Sequence, residues 1–440
     1  MKKSIIIKSL TAILLIGGLI LGFDGCKKTK SHTAQEPKTE DSTQVVDSLE
    51  ATTPTEAPTS IRVFFDNSAS MAGYLVKGKR DYNTLYNAIV ALGRNYGNGV
   101  YAFTADLCCA PKGKTPQKGI SYEQFKEMID NAGIAAGSES LLNKIIGDIA
   151  EETKAHPNQL SIFFTDGIIS GPAEKITADR EYTTNHIEDL SGELSNAVRN
   201  KGLAASVYRF DKADFNGAYY SYDNKPKNMK GSRPIYVVAL GSPKEIAKFK
   251  EWTESSEATN FQPSQVVHIG TKLPISSGLI NPDQGIKNGV VEYKPSDINS
   301  KFDGLFTFKL PYSVFSDIYE KNYNFAALKD KVKVSIDGIE IPAVENDKNG
   351  NSFETVEAGQ DGFIIKVRAR ALKNNAKMNV MIPYSQPEWI ALYSTRDDRT
   401  SLSSDNTYML DKFVGAIVNG ISGDSKAETL FSQTVDLKKK

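Results

Sequence analysis

Histidine and cysteine are scarce in this chain: four and three among 440 residues, with only two tryptophans. That is too little imidazole and thiol for a zinc cage, an iron–sulfur cluster or a haem site. No Cys-x-x-Cys occurs, and His32, His156, His186 and His268 stand singly, none with a second His or a Cys at ligand spacing. Net charge is missing too. The 53 Lys and Arg balance 53 Asp and Glu, so no overall field draws in nucleic acid or an anionic membrane surface. No segment repeats at a fixed period. What remains is an ordinary globular composition, 40% hydrophobic and 24% charged, over about three times the usual domain length. Two folded domains are expected.

Lys2, Lys3 and Lys8 precede an apolar run from Leu10 to Phe23, a basic region and a hydrophobic region too short for a span. The run ends at Phe23-Asp24-Gly25-Cys26, which resembles a bacterial lipoprotein signal, with Asp24 where a small residue is usual. The resemblance implies cleavage after residue 25 and lipidation of Cys26, hence a cell-envelope protein lipid-anchored to a membrane, in the periplasm or at the outer membrane. Loss of residues 1–25 removes three Lys and one Asp, leaving 50 basic against 52 acidic residues. Residues 26–59 are rich in Thr, Ser, Glu, Lys and Pro and read as a disordered tether. Its r.m.s. reach is roughly 30 Å.

From Ser60 onward, short apolar runs alternate with amphipathic stretches. Ile61–Phe65, Val100–Phe103, Leu160–Phe164, Leu203–Phe210 and Pro234–Leu240 read as strands buried on both faces. Helical faces lie between them: Leu85, Ile89, Val90 and Leu92; Leu141, Leu142, Ile145, Ile146 and Ile149; Ile187, Leu190, Leu194 and Val198. This predicts an α/β fold over 60–258, a doubly wound, mostly parallel sheet, closed by a helix over Pro243–Glu254. Asn216–Ser232 reads as a long excursion before the last strand. After about Phe261 the apolar period becomes two. Val332–Ile336, Asp337-Gly338 and Ile339–Ile341 form a hairpin signature. Phe363–Ala371 and Met378–Pro383 continue it, so 259–440 is expected to be a β-rich, sandwich-like domain with a late helix over Tyr408–Ile421.

Two of the expected strands end alike. Ile61–Phe65 runs into Asp66-Asn67-Ser68-Ala69-Ser70-Met71-Ala72-Gly73, and Leu160–Phe164 runs into Thr165-Asp166-Gly167. Loops at the carboxyl ends of adjacent parallel strands share one crevice, so the two aspartates are expected to converge. Two carboxylates with the hydroxyls of Ser68 and Ser70 make a set of hard oxygen donors suited to Mg²⁺ or Mn²⁺. Neutral hydroxyl ligands would leave the ion with net positive charge, ready to accept an outside carboxylate.

Asp66-x-Ser68-x-Ser70 with Met71 and Gly73, followed a hundred residues later by Thr165-Asp166-Gly167, resembles a von Willebrand factor type A domain with its metal-ion-dependent adhesion site. The resemblance covers about Ser60–Glu254. It implies that Asp66, Ser68 and Ser70 hold the metal, that Asp166 ligates it or orients a bound water, and that an intermediate loop adds a ligand. The family uses Thr there; here the segment is Gly137-Ser138-Glu139-Ser140, with Ser140 aligning best and Ser138 the alternative. The implied function is capture of a protein partner that presents an Asp or Glu to the metal, without catalysis and without nucleic acid.

Two other classes compete with that reading. A metal-dependent hydrolase of a phosphate or glycan would use the same carboxylates but needs a general base, and none is evident. A structural envelope protein would carry a degenerate site. Neither Ser68 nor Ser70 lies in a Gly-x-Ser-x-Gly elbow, and His156, just before a strand, belongs at the opposite end of the sheet from the aspartates. Cys108-Cys109 reads as two inert thiols or a passive vicinal disulfide, and Trp252 and Trp389 as packing residues.

Overall fold

The computed structural model describes residues 59–75, 84–96, 101–111, 114–134, 136–137, 140–170, 175–270, 290–293, 304–312, 325–357, 362–370, 375–383, 386–399, 405–422 and 429–439. The signal-like segment, Cys26, the tether and Ser138 lie outside these residues.

The first part is built in the order β1 (Ser60–Phe65), α1 (Thr84–Val90), β2 (Ala102–Leu107), β3 (Ile120–Ser121), α2 (Tyr122–Asp130), α3 (Leu142–Ala155), β4 (Gln159–Thr165), α4 (Arg180–Val198), β5 (Ala204–Tyr220), β6 (Pro226–Gly241), α5 (Pro243–Thr253) and β7 (Gln265–Ile269). The seven strands form one sheet in the order β3-β2-β1-β4-β6-β5-β7. Successive side chains of a strand point to opposite faces. In β1, Ile61, Val63 and Phe65 therefore enter a core shared with α1, α2 and α5, while Phe64 enters one shared with α3 and α4. β4 is buried along its whole length. The helices start where side chains satisfy free backbone donors: Ser121 makes a capping box with Gln124, Asp179 accepts from the N–H groups of Glu181 and Tyr182, and Ser242 caps α5.

The sheet is parallel at its centre. β1 pairs in parallel with β2 and β4, and four of the seven strands (β1, β2, β4 and β5) run one way. The expectation of a parallel last strand fails at β6, which is antiparallel to both β4 and β5. Only five residues separate Tyr220 from Pro226, enough for a turn and far too few for the crossover that a parallel strand needs. The expected excursion over 216–232 is thus the outer half of a long hairpin, bent at a register shift between Phe210 and Ala213. That outer half arches over the turn following β1: the Phe215 ring meets Tyr74 edge-on at 4.9 Å, and Gly217 lies against Gly73.

A Cβ on Gly217 would stand 2.7 Å from the Gly73 Cα, closer than carbon atoms pack. We expect Gly217→Val to destabilise the protein by about 1–3 kcal/mol, the usual magnitude of overpacking. A urea midpoint unchanged from wild type would sink this account of the contact.

The rest of the chain runs β8 (Val290–Tyr293), β9 (Gly304–Pro311), β10 (Lys333–Ile336), β11 (Ile339–Ile341), β12 (Ser352–Glu357), β13 (Gly362–Ala369), β14 (Asn375–Pro383), α6 (Glu388–Leu392), β15 (Ser394–Thr395), β16 (Thr407–Tyr408), α7 (Leu410–Ser422) and β17 (Thr429–Lys439). A five-stranded sheet, β11-β10-β14-β17-β8, and a three-stranded sheet, β12-β13-β9, share one core. Alternate residues fill it, among them Phe306 and Phe308 of β9, Ile365 and Val367 of β13, and Met378 and Val380 of β14. Asp337 and Gly338, at φ 50° and 79°, make the expected β10–β11 turn in the left-handed region.

Past residue 258 the chain returns to the first part in three places. β7 supplies the edge strand beside β5. The late helix, α7, packs on α4, where Val414, Ile417 and Val418 share a core with Leu190, Leu194 and Val198. The chain on either side of residues 400–404 straps the hairpin. Arg209, fully buried, lies 3.5 Å over the Tyr393 ring and donates to the Asp405 carbonyl at 2.7 Å. Arg233, 2% exposed, lies 4.1 Å over Tyr219 and donates to the Asn406 carbonyl at 3.0 Å. Asp398 accepts from the Tyr219 hydroxyl and, at 2.9 Å, from the Tyr222 N–H.

Candidate metal centre

The parallel register fixes where the motif residues meet. Phe65 pairs with Leu107 on one side and Phe164 on the other, so the residues that follow leave the sheet at one lip. The Asp66 N–H donates to the Phe164 carbonyl at 3.0 Å, and the Cys108 N–H to the Phe65 carbonyl at 2.9 Å. The Asp66 carboxylate is then held from two directions: Oδ1 accepts from the Ser68 N–H and Oδ2 from the Thr165 hydroxyl, both at 3.0 Å. Thr165 Oγ1 accepts in turn from the Gly167 N–H at 3.1 Å. Gly167 has φ 73°, and a Cβ there would strike the Tyr236 ring.

Asn67 fixes the loop. Its side chain donates to the Cys109 carbonyl at 2.8 Å and accepts from the Cys109 N–H at 2.7 Å, while its own carbonyl accepts from the Gly137 N–H at 2.6 Å. Three loops, after β1, after β2 and before α3, are thereby tied together. The Ser68 and Ser70 hydroxyls lie 3.2 Å apart, and Asp166 Oδ1 accepts from the Ile168 N–H at 3.1 Å.

Both carboxyls are buried and uncomfortable as anions. The Asp66 pKa is raised from 3.8 to about 6, first by burial and then by the neighbouring Asp166 charge, against the opposing effect of its hydrogen bonds from Ser68 and Thr165. Asp166 is also raised, by burial, against the opposing effects of Ser70, the Ile168 N–H and Arg233. The same environment pushes the Cys109 thiol up to about 12, through burial and then Asp66, whose Oδ1 lies 3.9 Å from the sulfur. Cys108 and Cys109 are free thiols.

Asp66, Ser68, Ser70 and Asp166 thus meet at one lip of the sheet, as the strand ends predicted. Ser140 lies on the wall of the same cavity as Ser68 and Ser70. Sequence reasoning assigned no role to Thr165, although it sits in the motif, nor to Asn67. The influence of Arg233 on Asp166 carried no sequence signal, because it depends on the hairpin folding back. His156 is exposed at the opposite end of β4, as expected, and Trp252 and Trp389 are buried in cores.

The donor chemistry fits a hard divalent cation: the side chains of the motif offer oxygen atoms, two of the groups are carboxyls whose charge the protein itself opposes, and a cation would relieve that opposition. Among the described residues no group of three or more His, Cys, Asp or Glu gathers that could hold a metal ion. The fold and this lip define a mixed α/β protein with a seven-stranded central sheet, separate antiparallel sheets and an acid–hydroxyl crevice. The chain matches no protein-family model, no curated protein and no solved structure.

Proposed function

We propose that this chain is a lipid-anchored envelope protein that captures a protein partner through Mg²⁺ or Mn²⁺ at the crevice, in the manner of a von Willebrand factor type A domain. The observation carrying the proposal is the pair of buried carboxyls, Asp66 and Asp166, each raised in pKa and each bonded into a hydroxyl-bearing loop. Asp66, Ser68 and Ser70 would hold the ion, with Ser140 adding an oxygen from the loop before α3 and Asp166 ligating or orienting a water. Ser138, the other candidate for that loop, lies outside the described residues. When bound, the ion supplies a Lewis-acidic position for a carboxylate from outside the chain.

The protein's own part is to hold the donors still. Thr165 and the Ser68 N–H orient Asp66, and the Asn67–Cys109 clamp fixes the loop that carries both serines. Lipidation at Cys26 would place the site on a membrane, with the tether setting its reach. Among the described residues no helix is long and apolar enough to cross a membrane.

Isothermal titration tests the proposal. Wild type is expected to bind Mg²⁺ or Mn²⁺ at one site, and Asp66→Ala is expected to show no binding. Binding that is absent in wild type, or unaltered in the variant, would overturn the metal reading. Turnover of a phosphoester panel that disappears with EDTA would overturn the assignment to binding rather than catalysis.

A further inference from the structure

Beside the two aspartates lies a cavity of about 270 Å³. Its wall nearest the candidate metal centre is the Ser68-Ala69-Ser70 loop together with Ser140. The remainder is mixed. Ile168, Ile169, Ile176 and Ile187 line it together with Tyr222 and Tyr408, and polar Ser170, Ser221 and Asn224 stand among them. The two rings stand 6.0 Å apart at an angle of 31°, and they come from the hairpin tip and from the strap. They are held rigidly. The Tyr222 N–H donates to Asp398, Arg399 lies 4.6 Å over the Tyr222 ring, and Tyr408 is 2% exposed.

The geometry points to a subsite for one aromatic side chain of the partner, placed next to the acidic residue that approaches the metal. This rests on the proposed function, which it extends from the charge of the partner to its sequence. Two observations choose the occupant. The carboxyl pair calls for a cation and, through it, for an acidic group, which fixes the charge of what arrives at the serine wall. The volume is below the roughly 300–1,000 Å³ of small-molecule sites and matches a single large side chain. A lining that holds a pair of neighbouring tyrosines among isoleucines favours a flat ring over an aliphatic chain, because aromatic rings gain from offset and edge contacts beyond the area they bury.

The subsite also explains why the hairpin and strap are built against the crevice. Tyr222 and Tyr408 add ring surface to the wall that faces the Ser68–Ser70 loop across the cavity. With them, the carboxylate must come with an apolar neighbour.

A displayed library of hexapeptides with a fixed central Asp, selected on the whole folded chain in 5 mM Mg²⁺ and again in EDTA, tests this. We expect Phe, Tyr or Trp to be enriched about tenfold within two positions of the Asp in Mg²⁺, and not in EDTA; burying one aromatic side chain supports an affinity gain of at least that size. Ile176→Trp, which fills the cavity, and Tyr222→Ala, which removes one ring, should each abolish the aromatic enrichment while leaving Mg²⁺ affinity by titration within about threefold. Mg²⁺-dependent recovery of Asp peptides over Ala-substituted controls with no aromatic preference would overturn the subsite and leave the proposed function standing. No Mg²⁺-dependent recovery of Asp peptides at all would overturn both. Aromatic enrichment that persists in both variants would place the ring elsewhere and also overturn the subsite.

Discussion

Asp66→Asn is expected to stabilise the metal-free protein at pH 7.5, by on the order of 2 kcal/mol, while abolishing its response to Mg²⁺. The Asp66 carboxyl is raised from 3.8 to about 6, first by burial and then by Asp166. The folded state therefore holds this proton more tightly than the unfolded state does. The contribution to stability is fully present below pH 3.8 and is lost as pH rises through about 6. At pH 7.5 wild type bears a buried anion that asparagine removes at similar volume. Part of the gain is offset, because Asn presents one acceptor where Asp66 gives two, to Ser68 and Thr165. Urea unfolding with EDTA at pH 7.5 and at pH 5 reads the difference: the gain should shrink toward zero at the lower pH. Saturating Mg²⁺ should raise the wild-type midpoint and leave the variant's unchanged. A variant equally destabilised at both pH values would show that the carboxyl is not strained as an anion.

His268 should produce the opposite slope. Its Nδ1 lies 2.7 Å from the Ser206 hydroxyl, the ring is 1% exposed, and burial, with a smaller effect from Lys250, lowers its pKa from 6.5 to about 3. Here the unfolded state binds the proton more readily. Stability from this group is complete above pH 6.5 and falls as pH drops from there toward 3, by on the order of 4 kcal/mol in total. His268→Gln keeps a hydrogen-bonding group at the position without a titrating one. It should flatten the decline between pH 6 and pH 4 while lowering stability modestly at neutral pH. Parallel pH profiles for wild type and variant would rule out His268 as the source of acid sensitivity. Because Asp66 and His268 pull in opposite directions over the same range, the double variant separates them, and their effects should add if the sites are independent.

The strands that carry the crevice were readable because both ends of the signal were local. Ile61–Phe65 and Leu160–Phe164 are apolar runs that stop abruptly at Asp-containing loops, and parallel pairing then aligns those stops. The helix over Pro243–Thr253 and the Asp337-Gly338 turn were legible for the same reason, each having its punctuation in the sequence. The β5–β6 hairpin was not. Its outer half is rich in Tyr, Asn and Lys, so polarity masked a strand whose partner lies only a turn away. Nothing local marks how Arg209 and Arg233 are accommodated in the interior, because the backbone carbonyls that receive both, and the Tyr393 ring under Arg209, come from more than 150 residues downstream. The periodicity of Tyr408–Ile421 gave a late helix, found at Leu410–Ser422, but could not say that α4, rather than the β-rich part, would cover its apolar residues.

The fastening of the hairpin by residues 393–399 and 405–409, and of α4 by α7, has a bearing on how the molecule is made. Synthesis proceeds from the amino end, so the sheet, the aspartates and both serines emerge well before the carbonyls of Asp405 and Asn406 that receive two interior guanidinium groups. Until those late residues arrive, Leu190, Leu194 and Val198 face water and the rings beside the crevice are not yet paired. The front of the chain therefore cannot mature as it is released; its completion waits on residues made more than 150 positions later, and a chain cut short at 258 should be sticky rather than merely smaller.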